Sequence, residues 1–211
     1  LKPLFAFAML VPGSNNDFMT TTTPVLLAGS KIILRDWQSE DLASYEQWQK
    51  PGQAWQKLDG PYYQSDKDES AEKAARVQKI ISENAFPSPR MNLVIADKLN
   101  NKMLGTVSSY WESKETNWLC IGITIYDPQT WGKGIGAEAM KLWIDYLFEN
   151  RSEIVRLDMR TWSGNGGLMH LAKKLGFTQE ACFRKARIVD GQYYDGLGYG
   201  LLRDEWPKSS L

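Results

Sequence analysis

Three glycines fall within five residues at Gly132-Lys133-Gly134-Ile135-Gly136. They separate a strand-like run, residues 118–126, from the strongest helical pattern in the chain. In that pattern Met140, Trp143, Ile144, Leu147 and Phe148 recur at i, i+3, i+4, i+7 and i+8, which gives one apolar face. A glycine-rich link between a strand and a helix leaves a run of main-chain N–H groups at the positive end of the helix dipole, with no side chains in the way. The sequence therefore specifies an anion cradle, and with it a fold in which strand and helix pack together.

The remaining pattern is that of a mixed α+β chain. Ile32-Ile33-Leu34 reads as a strand, and Ser39 as the N-cap of a helix carrying Leu42, Tyr45 and Trp48. Residues 49–65 hold Pro51, Gly52, Gly60 and Pro61 among Trp55, Tyr62 and Tyr63, so they read as an aromatic loop. A helix over 66–84 aligns Ala74, Val77 and Ile81. Strands over 91–97, 103–111 and 118–126 follow with short links, which predicts an antiparallel meander. After the glycine loop and its helix come a strand over 155–161 and a helix from Asn165, with Leu168, Leu171, Ala172 and Leu175 on one face and Gly176 as a left-handed stop. Two strands, 177–189 and 192–202, close the chain around the hairpin turn Asp190-Gly191.

Composition excludes several classes of function. The 211 residues carry 25 Lys+Arg against 25 Asp+Glu, so no global positive field exists to hold a nucleic acid or an anionic membrane. With one histidine, His170, and two distant cysteines, Cys120 and Cys182, there is no metal-ligand cluster, no disulfide framework and no good Ser-His-Asp triad. No metal is expected, and a reduced, cytoplasmic setting is. The apolar run 3–11 is shorter than the ~20 residues a membrane helix needs, and it lacks the cleavage site of a secretory signal. Residues 1–30 are read as a poorly ordered leader or extension, 31–206 as the folded domain and 207–211 as a tail.

Three designs use such a cradle. A nucleotide-binding Walker loop needs Ser or Thr after Gly-Lys, but Lys133 is followed by Gly134 and Ile135. A dinucleotide fingerprint, Gly132-x-Gly134-x-x-Ala137, should follow its strand directly and open a doubly wound parallel sheet. Here an Asp127-Pro128 spacer and an antiparallel meander come first. The third design is the pyrophosphate loop of coenzyme A transferases.

The segment 131–139 resembles the loop of the GNAT superfamily of acyl-CoA-dependent N-acetyltransferases, Gln/Arg-x-x-Gly-x-Gly/Ala at a strand-to-helix junction. Trp131 stands in the Gln/Arg position, as in the branch typified by the RimJ and RimL ribosomal-protein acetyltransferases. Asn165 and Lys174-Leu175-Gly176-Phe177 match a second family element in register. The resemblance covers 31–206. It implies a central, mostly antiparallel twisted sheet of about six or seven strands with a splayed pair, flanked by helices. It also implies acetyl-CoA as the acyl donor, its pantetheine arm along Thr124, Ile125 and Tyr126. The diphosphate would lie against Trp131, Gly132, Lys133, Gly134, Ile135, Gly136 and Ala137, with Asn165 touching the cofactor.

By the same resemblance, a neutral primary amine attacks the thioester directly. The sequence departs from its relatives at the proton shuttles. Leu168 replaces the serine of Asn-x-x-Ser, Ala172 falls where many members carry a tyrosine used as general acid, and Cys120 stands where a carboxylate is common. Glu112, Tyr110 and Ser163 remain as substitutes, beside a water chain. An α-amine titrates near ~8 and a lysine near ~10.4, so at neutral pH the α-amine offers roughly a few hundred times more neutral nucleophile. The expected acceptor is therefore an N-terminal α-amine, flanked by Trp55, Tyr62, Tyr63, Tyr193 and Tyr194. A small amine (amino acid, polyamine or antibiotic) is the alternative acceptor, and a non-catalytic acyl-CoA-binding protein the alternative class; a monomer or homodimer is expected.

Overall fold

The computed structural model of the chain describes residues 19–20, 24–63 and 68–207. Most of the expected leader (1–18), the end of the aromatic loop with the start of the next helix (64–67), and most of the tail (208–211) lie outside the described residues. The strands are β1 (Met19–Thr20), β2 (Leu26–Ala28), β3 (Ile32–Arg35), β4 (Pro87–Ser88), β5 (Asn92–Asp97), β6 (Met103–Ser113), β7 (Trp118–Ile125), β8 (Arg156–Trp162), β9 (Thr178–Val189) and β10 (Gln192–Leu202). The helices are α1 (Leu42–Gln49), α2 (Ser70–Ser82), α3 (Ile135–Asn150) and α4 (Gly166–Lys174). Among the described residues, no helix is long and apolar enough to cross a membrane.

Eight strands form one sheet in the order β2-β3-β5-β6-β7-β8-β10-β9, and β1 pairs with β4 apart from it. The sheet is larger than expected because residues assigned to the leader extend it: Leu26–Ala28 pairs antiparallel with β3, with Leu27 opposite Leu34. All pairings are antiparallel except β7 with β8. That parallel pair registers only at Leu119 with Leu157 and Cys120 with Asp158. Beyond Cys120 the two strands separate, which opens the sheet in its middle.

Both faces of the sheet are covered. The expected stripe of α3 is buried, with Met140, Trp143, Ile144 and Leu147 at 0% exposure, packed on Leu119, Ile121, Leu157 and Met159. Each such side chain contributes roughly 1.5–3 kcal/mol on burial. α4 adds Ala172 and Leu175 to this layer. The opposite face carries α1 and α2, whose Tyr45, Ala74 and Val77 pack with Val94, Ala96 and Tyr126.

Turn chemistry follows the sequence. Asp190 and Gly191 both take positive φ (48° and 75°), as a two-residue hairpin requires. The first helix differs from expectation: Ser39–Asp41 is a 3-10 turn and the α-helix begins at Leu42. The reason is Asp41, whose carboxylate accepts from Gln38 N (2.9 Å) and forms a bidentate pair with Arg35 (2.7 and 2.9 Å). Both charged side chains are buried, so the turn is held by a pair whose disruption costs several kcal/mol.

Candidate active site

The opening between β7 and β8 exposes a row of main-chain groups. Tyr126 N–H donates to Leu104 O at 3.0 Å, so by ladder alternation Thr124 also turns toward β6 while Ile123 and Ile125 face the gap. The Trp131 indole marks that direction, its Nε1–H donating to Ile125 O at 2.9 Å. Of the three residues expected along a pantetheine arm, only Ile125 therefore presents its main chain to the opening. The Tyr126 N–H is committed to β6, and its side chain is buried against Trp48, Trp55 and Tyr45.

The glycine loop lies at the end of this gap. Gly132 and Gly134 adopt φ of 74° and 85°, open only to residues without a Cβ at little cost. Nothing lies within 4 Å of where a Gly132 Cβ would be, and at Gly134 only Lys31 Nζ approaches, at 3.9 Å. Among the described residues, the N–H groups of Gly132 to Ala137 have no main-chain acceptor, the first helical bond being Glu138 N to Gly134 O. This cradle fits a diphosphate. Lys31, not foreseen from the sequence, donates from Nζ to Lys133 O at 3.0 Å and brings a cation to the rim. It is fixed there by Glu138, which accepts from Lys31 N (2.8 Å) and Ser30 Oγ (3.1 Å). Burial favours the neutral acid of Glu138, but these hydrogen bonds outweigh it and hold the carboxyl below its usual range.

Asn165 is occupied within the fold. Its Oδ1 accepts from Leu168 N (3.0 Å), capping α4, and its Nδ2 donates to Leu58 O (3.1 Å). Trp162 Nε1 reaches the same carbonyl at 3.0 Å. Leu58 thereby ties the loop between α1 and α2 to the far lip of the opening.

Tyr110 and Glu112 sit on the sheet face that bears α1 and α2, where alternation also places Cys120 and Asp158. Tyr110 opposes Cys120 across the β6–β7 ladder, and burial pushes both above their ordinary pKa values, the thiol to about 12. Neither is poised to exchange a proton near neutrality. Glu112 lies at a bulge, with Oε1 3.3 Å from Arg160. Ser163 Oγ accepts from Asp195 N at 2.9 Å and so joins β8 to β10. Among the described residues, no group of His, Cys, Asp or Glu side chains is placed to hold a metal ion.

The aromatic residues divide. Trp55 is core, buried on Tyr126 (5.4 Å between centroids) with its indole donating to Trp48 O. Tyr62 meets Tyr63 edge-on at 4.7 Å and Trp162 at 6.3 Å, with the Arg187 guanidinium 4.8 Å above its ring. Tyr194 meets Trp162 at 4.8 Å, while Tyr193 is 62% exposed on the hairpin. The loop and the closing hairpin thus form one aromatic wall beside the opening. Asp59 belongs to the same loop and escaped the sequence reading, since Asp59-Gly60-Pro61 has the composition of an ordinary turn. It is half-buried, and among the described residues no hydrogen bond or ion pair engages its carboxylate. Burial pushes its pKa up to about 6, against a smaller opposing pull from Lys73.

Comparison with known proteins agrees with this geometry. Residues 31–178 match the acetyltransferase (GNAT) domain family. The SPbeta prophage-derived uncharacterized N-acetyltransferase YokL of Bacillus subtilis (strain 168) is 25% identical over 112 residues, 53% of this chain and 62% of its own length. The chain thus matches about three-fifths of that relative. The crystal structure of RimL, ribosomal L7/L12 α-N-protein acetyltransferase, in complex with coenzyme A superposes with a TM-score of 0.64 at 20% identity, covering 86% of this chain and 99% of that one. Spermidine N-acetyltransferase from Vibrio cholerae in complex with CoA and spermine gives 0.66 at 19% identity, covering 84% and 98%. At these identities the two structures speak to the fold alone. With the family match spanning most of the sheet and the glycine loop, the chain belongs to the GNAT acetyltransferase family.

Proposed function

We propose that this protein transfers the acetyl group of acetyl-CoA to the α-amine of a protein or peptide N-terminus, within the cytoplasm. The observation that carries the reading is the continuity of two main-chain surfaces that no strand or helix pairs among the described residues. The edge at Ile123 and Ile125, where the Trp131 indole engages Ile125 O, leads to the N–H groups of Gly132 to Ala137, which have no main-chain acceptor among the described residues. An amide-bearing arm ending in a diphosphate matches both, pairing as an added strand along the edge and receiving N–H donors at its anionic end. Acetyl-CoA supplies an activated thioester at the other end of that arm. The chain's own part is to align the thioester in the opening, with main-chain N–H groups available to a developing oxyanion.

The α-amine is favoured by what surrounds the opening. Tyr110 and Cys120 hold their protons too tightly to act as bases at neutral pH, and Glu112 is paired with Arg160. An acceptor that is already partly neutral suits such a site better than a lysine. The test is thiol release from acetyl-CoA with N-terminal peptides, matched peptides bearing only a lysine amine, and polyamines. The expected result is turnover at least tenfold faster with the α-amines. Faster turnover with lysine peptides or polyamines would overturn the choice of acceptor, and absence of acetyl-CoA binding by calorimetry would overturn the reading altogether.

A further inference from the structure

The gap between β7 and β8 has two lips, and one carboxylate is held between them. On one side β7 ends at Ile125, with Tyr126 next to it; on the other β8 ends at Trp162 and passes into the α4 cap at Asn165. Leu58 O is gripped from the second lip by both Trp162 and Asn165, at 3.0 and 3.1 Å, which fixes the position of the next residue, Asp59. Its own N–H is anchored back on Trp55 O (3.3 Å), and Trp55 stacks edge-on against Tyr126 of the first lip. Burial is the main reason the Tyr126 and Tyr62 phenols hold their protons tightly, and the nearby charge of Asp59 adds a smaller push in the same direction. Asp59 therefore spans the mouth of the opening, held by its backbone on both sides.

Among the described residues nothing engages its carboxylate. Three other carboxylates on this side of the fold are engaged: Asp41 by Arg35, Asp158 by Arg156, and Glu112 by Arg160. Among the described residues Asp59 has only the longer-range attraction of Lys73 on α2; Arg187 on β9 lies against Tyr62 instead. A half-buried carboxylate without a partner opposes folding, since desolvation penalises the charged form. A cation arriving from solvent past Tyr62 would complete it.

We propose that Asp59 receives the ammonium group of the acceptor amine and takes its proton. This rests on the acetyl-transfer reading and deepens it, by giving the enzyme the base that its sequence otherwise lacks. The ammonium donates a hydrogen bond to an Asp59 Oδ and passes one proton to it. The freed nitrogen lone pair forms the C–N bond at the thioester carbonyl, and the C–S bond breaks with its electrons leaving on sulfur. The nitrogen's second proton neutralises the thiolate, and the proton on Asp59 returns to solvent. A carboxylate that titrates near 6 is matched to an α-amine titrating near ~8, and poorly matched to a lysine near ~10.4. The acceptor is thus a cationic primary amine of depressed basicity, consistent with an N-terminus.

The experiment compares wild type, Asp59→Asn and Asp59→Glu. Acetyl-CoA binding is measured by calorimetry, and kcat/KM for an N-terminal peptide by thiol release from about pH 5 to 9. Acetyl-CoA affinity should stay within twofold in all three. Wild type should show an acidic limb near pH 6. Asp59→Asn should lose that limb and fall about a hundredfold or more, with Asp59→Glu restoring part of the rate and a shifted limb. If acetyl-CoA binds and turns over but Asp59→Asn keeps its rate within threefold and its pH profile, the role of Asp59 is overturned and the acetyl-transfer reading stands. If wild type neither binds acetyl-CoA nor releases thiol with any amine, both fall together.

Discussion

Asp59 also makes a statement about stability, separable from turnover. In the folded chain it holds its proton up to about pH 6, whereas an unfolded aspartate titrates near ~3.9. Between those values the folded state binds more protons, so the stability contributed by this residue falls as pH rises through the window. Below about pH 4 both states are protonated and the penalty vanishes; above about pH 6 it is fully present. Asp59→Asn, a neutral isostere, should therefore stabilise the protein at pH 8 by on the order of 1–2 kcal/mol, allowing for the solvent that still reaches the carboxylate. Near pH 4 the two proteins should melt together. Calorimetric melts at the two pH values check this, and an Asp59→Asn protein less stable than wild type at pH 8 would show that the carboxylate is held by contacts of its own.

At the scale of elements, the junction of β3, the glycine loop and α3 shows how a sequence signal and a tertiary one combine. The loop is written in the order of its glycines, and the positive φ values of Gly132 and Gly134 are what that order predicts. Lys31 is not written there, because its place beside Lys133 comes from Glu138 gripping Ser30, Lys31 and Ile32 across more than a hundred residues of sequence. Its ammonium touches a carbonyl rather than a carboxylate, so it is available to an anion seated in the loop. A charge-assisted hydrogen bond of roughly 1–2 kcal/mol corresponds to a factor of about 5–30. Lys31→Ala should raise the KM for acetyl-CoA by that factor at low salt and by less at high salt, with kcat unchanged. Steady-state kinetics at two ionic strengths decide it; a KM within twofold of wild type at low salt would remove Lys31 from the donor site.

For the molecule as a whole, the regular patterns were legible and the edges were not. The apolar stripe of α3, the Asp190-Gly191 turn and the strand-loop-helix junction follow from periods and turn residues that act locally. The splay of β7 from β8 and the bridge from Leu58 to Trp162 and Asn165 arise from partners far apart in sequence, and only the family resemblance pointed to the first. The N-terminal boundary shows the same limit. Leu26–Ala28 is short and stands among Thr, Pro and Gly, so its strand character comes from β3, which it pairs with, rather than from its own propensity. Val25 N donates to Asp36 Oδ2 at 2.9 Å, the same carboxylate that receives buried Arg90 at 2.6 and 2.9 Å. Val25 and Leu27 also pack against the main core. Removing this segment would strip the β3 edge and loosen the Asp36–Arg90 pair while leaving the Glu138 contacts in place. A chain beginning at Gly29 should therefore be less stable than one beginning at Pro24 by on the order of 2 kcal/mol, which lowers Tm by roughly 4–8 °C for a domain of this size. Matching melting curves for the two would mean that β2 only lies against the sheet, and that the folded unit starts at β3.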